Sequence, residues 1–187
     1  MRIAILALAA ILATSSLSAC ERTEPNASVQ IGGPFQLVDA DGRPVTEKSL
    51  LGKPTAMFFG FTFCPEVCPT TLAEMTASLN ALGPKADKLN VVFVSVDPER
   101  DTPAQMKAYL SNFDPRIQGF TGSVANIDAI AKAYRVYHRK VPMDGGGYTV
   151  DHSAAVYLFD KNGRFVEPIG YGTPHQRVVD QLGRLAS

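Results

Sequence analysis

The chain has 187 residues, of which 45% are hydrophobic and 19% charged, and its 18 Lys and Arg residues equal its 18 Asp and Glu residues. These fractions are those of globular proteins and argue against a disordered or fibrous chain. The even charge balance argues against a nucleic-acid-binding protein, which normally carries a basic excess or patch. A chain of this length folds as one domain without disulfide or metal staples, so any metal site is expected to be functional.

Residues 1–19 are typical of a lipoprotein signal peptide. A positive start is followed at 3–13 by an uninterrupted apolar run, which is shorter than the roughly 20 residues of a membrane-spanning helix. The run leads into Leu-Ser-Ala-Cys at 17–20, which resembles the bacterial lipobox, where cleavage precedes the cysteine and the thiol is lipidated. Cys20 is therefore predicted to be a lipid anchor. The alternative, cleavage that leaves Cys20 as a free thiol, is less favoured because such a thiol is a liability in an oxidising compartment.

The polar residues 20–31 predict a flexible tether, and the working domain is expected to span residues 32–187. The predicted location is outside the cytoplasm, at a membrane that faces the periplasm or the cell exterior.

Within the domain, runs that are apolar on both faces predict buried strands, and apolar residues at spacings of three and four predict helices. In chain order these are a peripheral hairpin (35–46), a central strand (55–61), a helix (70–82), a second strand (89–96), a helix opened by Thr102-Pro103, a short apolar piece after Asp114-Pro115, a helix (124–137), a glycine-rich loop or loose hairpin (141–150), a strand hairpin (153–171) and a last helix opened by Thr173-Pro174.

This order starts with a βαβ unit and ends with an antiparallel hairpin and a helix. It predicts an α/β fold, namely a thioredoxin-like mixed sheet flanked by helices, with an N-terminal β-hairpin.

Cys64 and Cys68 lie where the first central strand runs into its helix, the edge at which open α/β sheets place their sites. Cysteines four apart fall on one face of a helical turn, close enough to form a disulfide or to bind one metal. The positive end of the helix dipole favours thiolate, so the pair is expected to be reactive. A structural disulfide is disfavoured because it would close too short a loop to stabilise much.

Two chemistries remain open for this pair. In a thiol oxidoreductase, Cys64 would attack and Cys68 would resolve, but thioredoxins have two residues between their cysteines and usually a neighbouring Trp, whereas this chain has three residues and no Trp. The peroxiredoxin pattern fits less well. In a metal site, a histidine would complete the ligand set.

Of the three histidines, His152 is the expected third ligand, because it precedes the strand predicted to lie beside the first central strand. Two thiolates and one imidazole suit copper in either oxidation state. His138 is expected on the charged surface, and His175 is expected to be solvated.

Three segments carry a resemblance to a known family. They are Phe61-Thr-Phe-Cys-Pro-Glu-Val-Cys-Pro69, Ser95-Val-Asp-Pro-Glu-Arg-Asp-Thr-Pro103 and Tyr148-Thr-Val-Asp-His-Ser-Ala-Ala-Val-Tyr-Leu158. They resemble the signature segments of the Sco/SenC family, and the similarity covers most of residues 32–187. Members are membrane-tethered, thioredoxin-like copper proteins that help to assemble the dinuclear copper centre of cytochrome c oxidase subunit II, as copper donors, as reductants of its cysteines, or both.

By that resemblance Cys64, Cys68 and His152 are the copper ligands. Asp97 follows the second central strand, and Asp151 precedes His152. Each is expected either to orient the copper ligands without binding the metal itself or to contact the partner. A turn and helix cap is an equal alternative for Asp97.

The expected function is that of a copper chaperone rather than an enzyme, which binds one copper and delivers it to cytochrome c oxidase subunit II or a similar copper protein. The alternative is a membrane-tethered thiol-disulfide reductase that acts on the cysteines of such a protein. A copper sensor or electron-transfer module would share the ligands and differ only in its partner. Copper binding and the Cys64–Cys68 disulfide use the same sulfurs, so oxidation is expected to release the metal.

Overall fold

The structure, a computed structural model, describes residues 30–187, so the predicted signal peptide, Cys20 and all but the end of the predicted tether lie outside the described residues. The elements are β1 (Gln36–Asp39), β2 (Pro44–Thr46), a 3-10 helix (Glu47–Leu50), β3 (Thr55–Gly60), α1 (Val67–Leu82), a 3-10 helix (Gly83–Lys88), β4 (Asn90–Ser95), α2 (Pro103–Leu110), β5 (Ile117–Thr121), α3 (Val124–Ala133), β6 (His138–Pro142), β7 (Tyr148–His152), β8 (Val156–Phe159), β9 (Phe165–Ile169) and α4 (His175–Leu185).

The main sheet has seven strands in the order β2-β1-β5-β4-β3-β8-β9. Strands β3, β4 and β5 are parallel, whereas β8 pairs antiparallel with β3, and β1 with β5. The predicted α/β class with a mixed sheet is confirmed, and the β1–β2 hairpin lies at one edge of the sheet as predicted. The prediction that the strand after His152 lies beside the first central strand is confirmed as well, because β8 pairs with β3.

The core lies on both faces of the central strands. All six residues of β3 are buried, which explains why its sequence shows no polar alternation. The largest fully buried side chains come from the central strands and the helices around them: Phe59, Phe61, Phe93, Phe120, Met57, Leu72, Leu79, Met106, Ile127, Ile130, Leu158 and Leu182. The carboxyl ends of β3 and β4 therefore emerge from a closely packed core.

Three local features differ from the sequence-based expectations. Helix α1 begins at Val67 rather than at residue 70, because Pro69 is tolerated in a first turn, where its missing N–H has no helical partner. The helix expected over 124–137 ends at Ala133, where Arg135 takes a left-handed φ of 57° and the Val136 N–H bonds to the carbonyl of Ala131. The short apolar piece after Asp114-Pro115 is a strand of the sheet, β5.

The glycine-rich segment expected to be a loop or loose hairpin is the turn and the adjoining parts of a separate two-stranded hairpin, β6–β7. His152 is the last residue of β7. Within residues 30–187, no helix has both the length and the apolar character needed to cross a membrane.

Candidate metal centre

Gly60 lets helix α1 approach the end of β3. A Cβ atom at this position would lie 2.6 Å from Sγ of Cys68 and 2.7 Å from the ring of Phe93. Contacts that short do not occur between real atoms, so a side chain here would displace the cysteine or the ring. The absence of a side chain at Gly60 thus places Cys68 directly against the sheet.

The two cysteines occupy different environments at the start of α1. Cys68 is fully buried, Cys64 is half-buried, and both are free thiols. The backbone N–H of Cys68 donates to Sγ of Cys64 at 3.4 Å. The sulfur thereby accepts from one of the first-turn N–H groups, which lack a partner inside the helix. Glu66, between them, is exposed.

His152 reaches the pair from the β6–β7 hairpin. Its Nε2 lies 3.4 Å from Sγ of Cys68, and its Nδ1 lies 3.0 Å from the backbone oxygen of Ser153. Because a carbonyl oxygen only accepts, this contact assigns the proton to Nδ1 and leaves the lone pair of Nε2 directed at the sulfurs. The rings of Phe58 and Phe61 pack edge-on against the imidazole at 6.1 and 5.7 Å.

One ligand atom from each of Cys64, Cys68 and His152 lies within 4.8 Å of the others. Two sulfurs and one imidazole nitrogen form a soft, mixed donor set of the kind that copper takes. The residues present therefore fit the metal that the family resemblance implies.

The electrostatics separate the two thiols. The hydrogen bond from the Cys68 thiol is the largest effect and lowers the pKa of Cys64 to about 4, with smaller contributions from the N–H groups of Cys68 and Glu66, against the opposing effect of burial. The same sulfur–sulfur contact, together with burial, raises the pKa of Cys68. The first thiolate of the pair therefore forms at Cys64, the sulfur that solvent can reach.

Asp101 is a buried carboxylate beside the site that the sequence analysis did not single out. It has 0% exposure and accepts from the Thr62 hydroxyl at 2.6 Å, the Thr62 N–H at 3.1 Å and the Ser95 hydroxyl at 2.6 Å. Burial raises its pKa. Thr62 lies two positions before Cys64, so Asp101 fixes the start of the cysteine loop. A signal was available in the sequence, since Asp101 ends the same Asp-Pro-Glu-Arg-Asp segment that Asp97 begins.

Asp97 also has 0% exposure, so its side chain does not lie at the surface of the domain, and its predicted contact with a partner stays a prediction. Its carboxylate pairs with Arg100 and accepts from the Tyr148 hydroxyl at 2.8 Å. Its backbone oxygen accepts from the N–H groups of Arg100 and Asp101, as expected of a turn. Asp97 thus acts on the hairpin that carries His152.

Asp151 has an exposed side chain, and its Oδ2 lies 3.3 Å from Nη2 of Arg139. Because neighbouring side chains of a strand point to opposite faces, Asp151 and His152 face different ways. The expectation that Asp151 supports a ligand therefore has no geometric basis here, and partner contact stays a prediction.

The other two histidines lie outside the cluster. His138 pairs across the hairpin with His152, but its Nε2 lies 3.3 Å from Oδ1 of Asp128 on α3. His175 is exposed at the start of α4 and contacts Glu74 at 2.7 Å. Neither belongs to the group of possible ligands in residues 30–187.

Comparison with known proteins gives a family. Residues 23–187 match the family model described as SCO1/SenC. The chain belongs to the SCO1/SenC family. Among curated proteins, SCO1 homolog 1 of Arabidopsis thaliana mitochondria is 44% identical over 153 residues, which is 81% of this chain and 45% of that protein. SenC of Rhodobacter capsulatus is 34% identical over 170 residues, or 91% of this chain and 77% of SenC.

The chain spans about half the length of the first curated relatives that it matches. The relatives are mitochondrial or bacterial Sco proteins, and one solved bacterial member, from Bacillus anthracis, is a lipoprotein; it is 28% identical, with a TM-score of 0.72 over 84% of this chain and 96% of that one.

Solved structures confirm the predicted family fold. ScoI of Bradyrhizobium japonicum with copper bound is 54% identical, with a TM-score of 0.78 over 83% of this chain and 99% of that chain. A further solved Sco protein, described as a cytochrome c oxidase assembly protein with a disulfide switch, is 26% identical, with a TM-score of 0.66 over 87% of this chain and 97% of that chain.

Proposed function

We propose that this chain is a copper chaperone that binds one copper through Cys64, Cys68 and His152 and delivers it to the dinuclear copper site of cytochrome c oxidase subunit II. The observation that carries the proposal is the convergence of the three donor atoms within 4.8 Å. Relatives solved with copper bound, and one described as an oxidase assembly protein, support the metal and the destination.

The unequal thiols suit a protein that exchanges its cargo. Cys64 is half-buried and has a lowered pKa, so it offers a thiolate at the surface, whereas Cys68 is fully buried. An acceptor can therefore displace the ligands in order, starting from the accessible sulfur. Since metal binding needs deprotonated ligands, the low pKa of Cys64 supplies the first thiolate at neutral pH, whereas Cys68, whose pKa is raised, gives up its proton as the metal binds.

A second candidate function, thiol-disulfide reduction, is favoured by the same lowered pKa. The Cys64 thiolate would attack a disulfide of the copper protein and form a mixed disulfide, and Cys68 would then displace the partner's sulfur. The partner gains two electrons and two thiols, and this chain keeps the Cys64–Cys68 disulfide. A disulfide switch identified in a solved relative supports this chemistry.

We propose further that residues 1–19 are removed, that Cys20 carries a lipid, and that residues 20–31 tether the domain at the outer side of a membrane. The lipobox-like sequence supports this location, and so does the lipoprotein from Bacillus anthracis.

Transfer to an acceptor tests the function. The reduced, copper-loaded protein is mixed with the metal-free soluble domain of subunit II, first with its cysteines reduced and then with its cysteines as a disulfide. Movement of copper to the reduced acceptor supports the chaperone. Reduction of the oxidised acceptor by metal-free protein, without any copper transfer, would contradict it in favour of the reductase. The same transfer is measured with His152→Ala, which lacks the proposed third ligand. His175→Ala is its matched control, because it removes an exposed histidine outside the site.

A further inference from the structure

The hairpin that carries His152 is not hydrogen-bonded to the main sheet. Strands β6 and β7 pair only with each other among the described strands, whereas Cys64 and Cys68 belong to the β3–α1 connection. The position of His152 relative to the cysteines therefore depends on the short link 153–155 to β8 and on side-chain contacts between the hairpin and the rest of the domain.

Tyr148, at the start of β7, makes the most specific of these contacts. Its hydroxyl donates to Oδ1 of Asp97 at 2.8 Å, and its backbone oxygen accepts from Nη1 of Arg100 at 3.0 Å. The Arg100 guanidinium also lies 3.9 Å from the centre of the Tyr148 ring. Side chains two apart in a strand share a face, so Tyr148, the buried Val150 and His152 all face the domain.

Arg100 contacts the cysteine loop at the same time. Its guanidinium lies 4.9 Å from the ring centre of Phe63, the residue before Cys64, and 5.7 Å from that of Phe61. Asp97, which is fully buried, pairs with Nε of Arg100 and fixes its orientation. A planar guanidinium held by a buried carboxylate and stacked on aromatic rings is a rigid connector. The same side chain thus bridges the segment of Cys64 and the strand of His152.

A second ion pair lies on the outside of this cluster. Nζ of Lys140 on β6 lies 2.6 Å from Oε2 of Glu99 and 4.7 Å from the centre of the Tyr148 ring. Both side chains are about half exposed, at 45% and 54%, so solvent weakens the pair. The specific hold on the hairpin is therefore that of Tyr148, Arg100 and Asp97, which we call the hairpin clamp.

We propose that Tyr148 and Arg100, oriented by Asp97, are positioning residues: the closed hairpin clamp holds His152 against the cysteine pair, and its opening lets His152 withdraw so that copper can leave. This inference rests on the proposed copper function. Opening removes one of three ligands and leaves copper on two thiolates, a set that suits Cu(I) and holds Cu(II) poorly. The clamp thereby controls the lifetime of the three-ligand site.

Tyr148→Phe tests the clamp, because it removes only the hydroxyl that bonds to Asp97. In the metal-free, reduced protein, we expect hydrogen exchange of the β6–β7 amides to become about tenfold faster, the effect of losing one partly buried hydrogen bond, with no change in β3 or β4. In the copper-loaded protein, Cu(II) should dissociate about tenfold faster, while Cu(I), held by the two thiolates, should change far less. Arg100→Gln removes the guanidinium that contacts both Tyr148 and Phe63. It should accelerate both the hydrogen exchange of the hairpin and the dissociation of Cu(II) more than Tyr148→Phe does.

Arg139→Gln is the matched control, since it breaks an exposed ion pair on the opposite face of the same hairpin. Unchanged exchange in Tyr148→Phe and Arg100→Gln would overturn the clamp. Equal acceleration by Arg139→Gln would also overturn it, because the effect would then be one of general hairpin stability. A wild-type protein that binds no copper would refute the proposed function, whereas hydrogen exchange in the metal-free variants would still decide whether the clamp exists.

Discussion

Nε2 of His152 lies 3.4 Å from Sγ of Cys68, although 84 positions separate the two residues in the chain. The sheet brings the cysteine loop to its carboxyl edge, and a separate hairpin brings the histidine to the same edge. Since a backbone oxygen holds the opposite ring nitrogen, the imidazole presents its lone pair to the sulfurs. The contact requires both elements to be correctly placed.

Replacement of His152 by Ala should weaken Cu(II) binding by about a hundredfold or more, beyond the usual effect of losing a group that only supports a ligand. Cu(I) binding should weaken less, because both sulfurs remain. Competition with chelators of known affinity measures both values. His175→Ala should leave both unchanged, and equal effects of the two substitutions would contradict the ligand assignment.

Alkylation should detect the low pKa of Cys64. Because its pKa is lowered to about 4, where an ordinary cysteine has 9.0, the thiolate is present throughout the neutral range, and the rate should fall only as the pH drops towards 4. Mass spectrometry should place the first label on Cys64, since Cys68 is buried. In Cys68→Ala the hydrogen-bond donor is gone, so the inflection should move up towards 9.0. An inflection near 9.0 in the wild type would refute this electrostatic description.

The buried carboxylate of Asp101 should make stability depend on pH in an uncommon direction. Its folded-state pKa is raised, chiefly by burial, so the folded protein holds this proton more tightly than the unfolded chain. The contribution of Asp101 to stability is therefore present at low pH and falls as the pH rises from 3.8 through the folded-state pKa. Denaturant unfolding at a series of pH values measures this effect.

The variant Asp101→Asn should lose this pH dependence and unfold with equal or greater free energy at neutral pH. Asp101→Ala should lose about 3 kcal/mol, because the buried Thr62 and Ser95 donors are left without their acceptor. Asp160 serves as a control, because its pKa is lowered, chiefly by the Arg164 N–H. Its contribution to stability should therefore be lost as the pH falls, which is the opposite of the effect expected for Asp101. A variant Asp101→Asn with the pH profile of the wild type would show that this carboxylate does not carry the effect.

Replacement of Gly60 by Ala should destabilise the protein by about 1–3 kcal/mol, because the added methyl group meets Cys68 and Phe93 at less than 3 Å. It should also weaken copper binding by displacing Cys68. Gly170→Ala is the control, since its nearest neighbour would be 3.8 Å away. Thermal unfolding checks the stability. A Gly60→Ala protein as stable as Gly170→Ala would mean that helix α1 can shift without cost.

Much of this arrangement could be predicted from the sequence. The apolar runs of β3 and β4 have no polar alternation, which predicts strands of a parallel sheet that are buried on both faces. The place of the cysteine pair after β3 follows from the rule that open α/β sheets carry their sites at the carboxyl ends of the strands. The convergence of His152 was predicted from the strand order. Its position on a separate hairpin is only partly predictable, because three consecutive glycines favour a loop over the two short strands on either side of them.

The buried carboxylates were harder to predict. Asp97 and Asp101 occur in a segment that reads as a turn, and burial of a charged group depends on partners distant in sequence, such as Tyr148 and Thr62. The start of α1 was missed because prolines on both sides of Cys68 conceal the first turn.

The most direct test of the account is a titration of reduced and oxidised protein with Cu(I) and Cu(II), followed by sulfur-to-copper charge-transfer absorption and by metal analysis. We predict one copper per chain in the reduced protein, and neither bound copper nor the absorption band once Cys64 and Cys68 form a disulfide. Equal binding by the oxidised protein, or no binding by the reduced protein, would contradict the assignment of these sulfurs as the copper ligands.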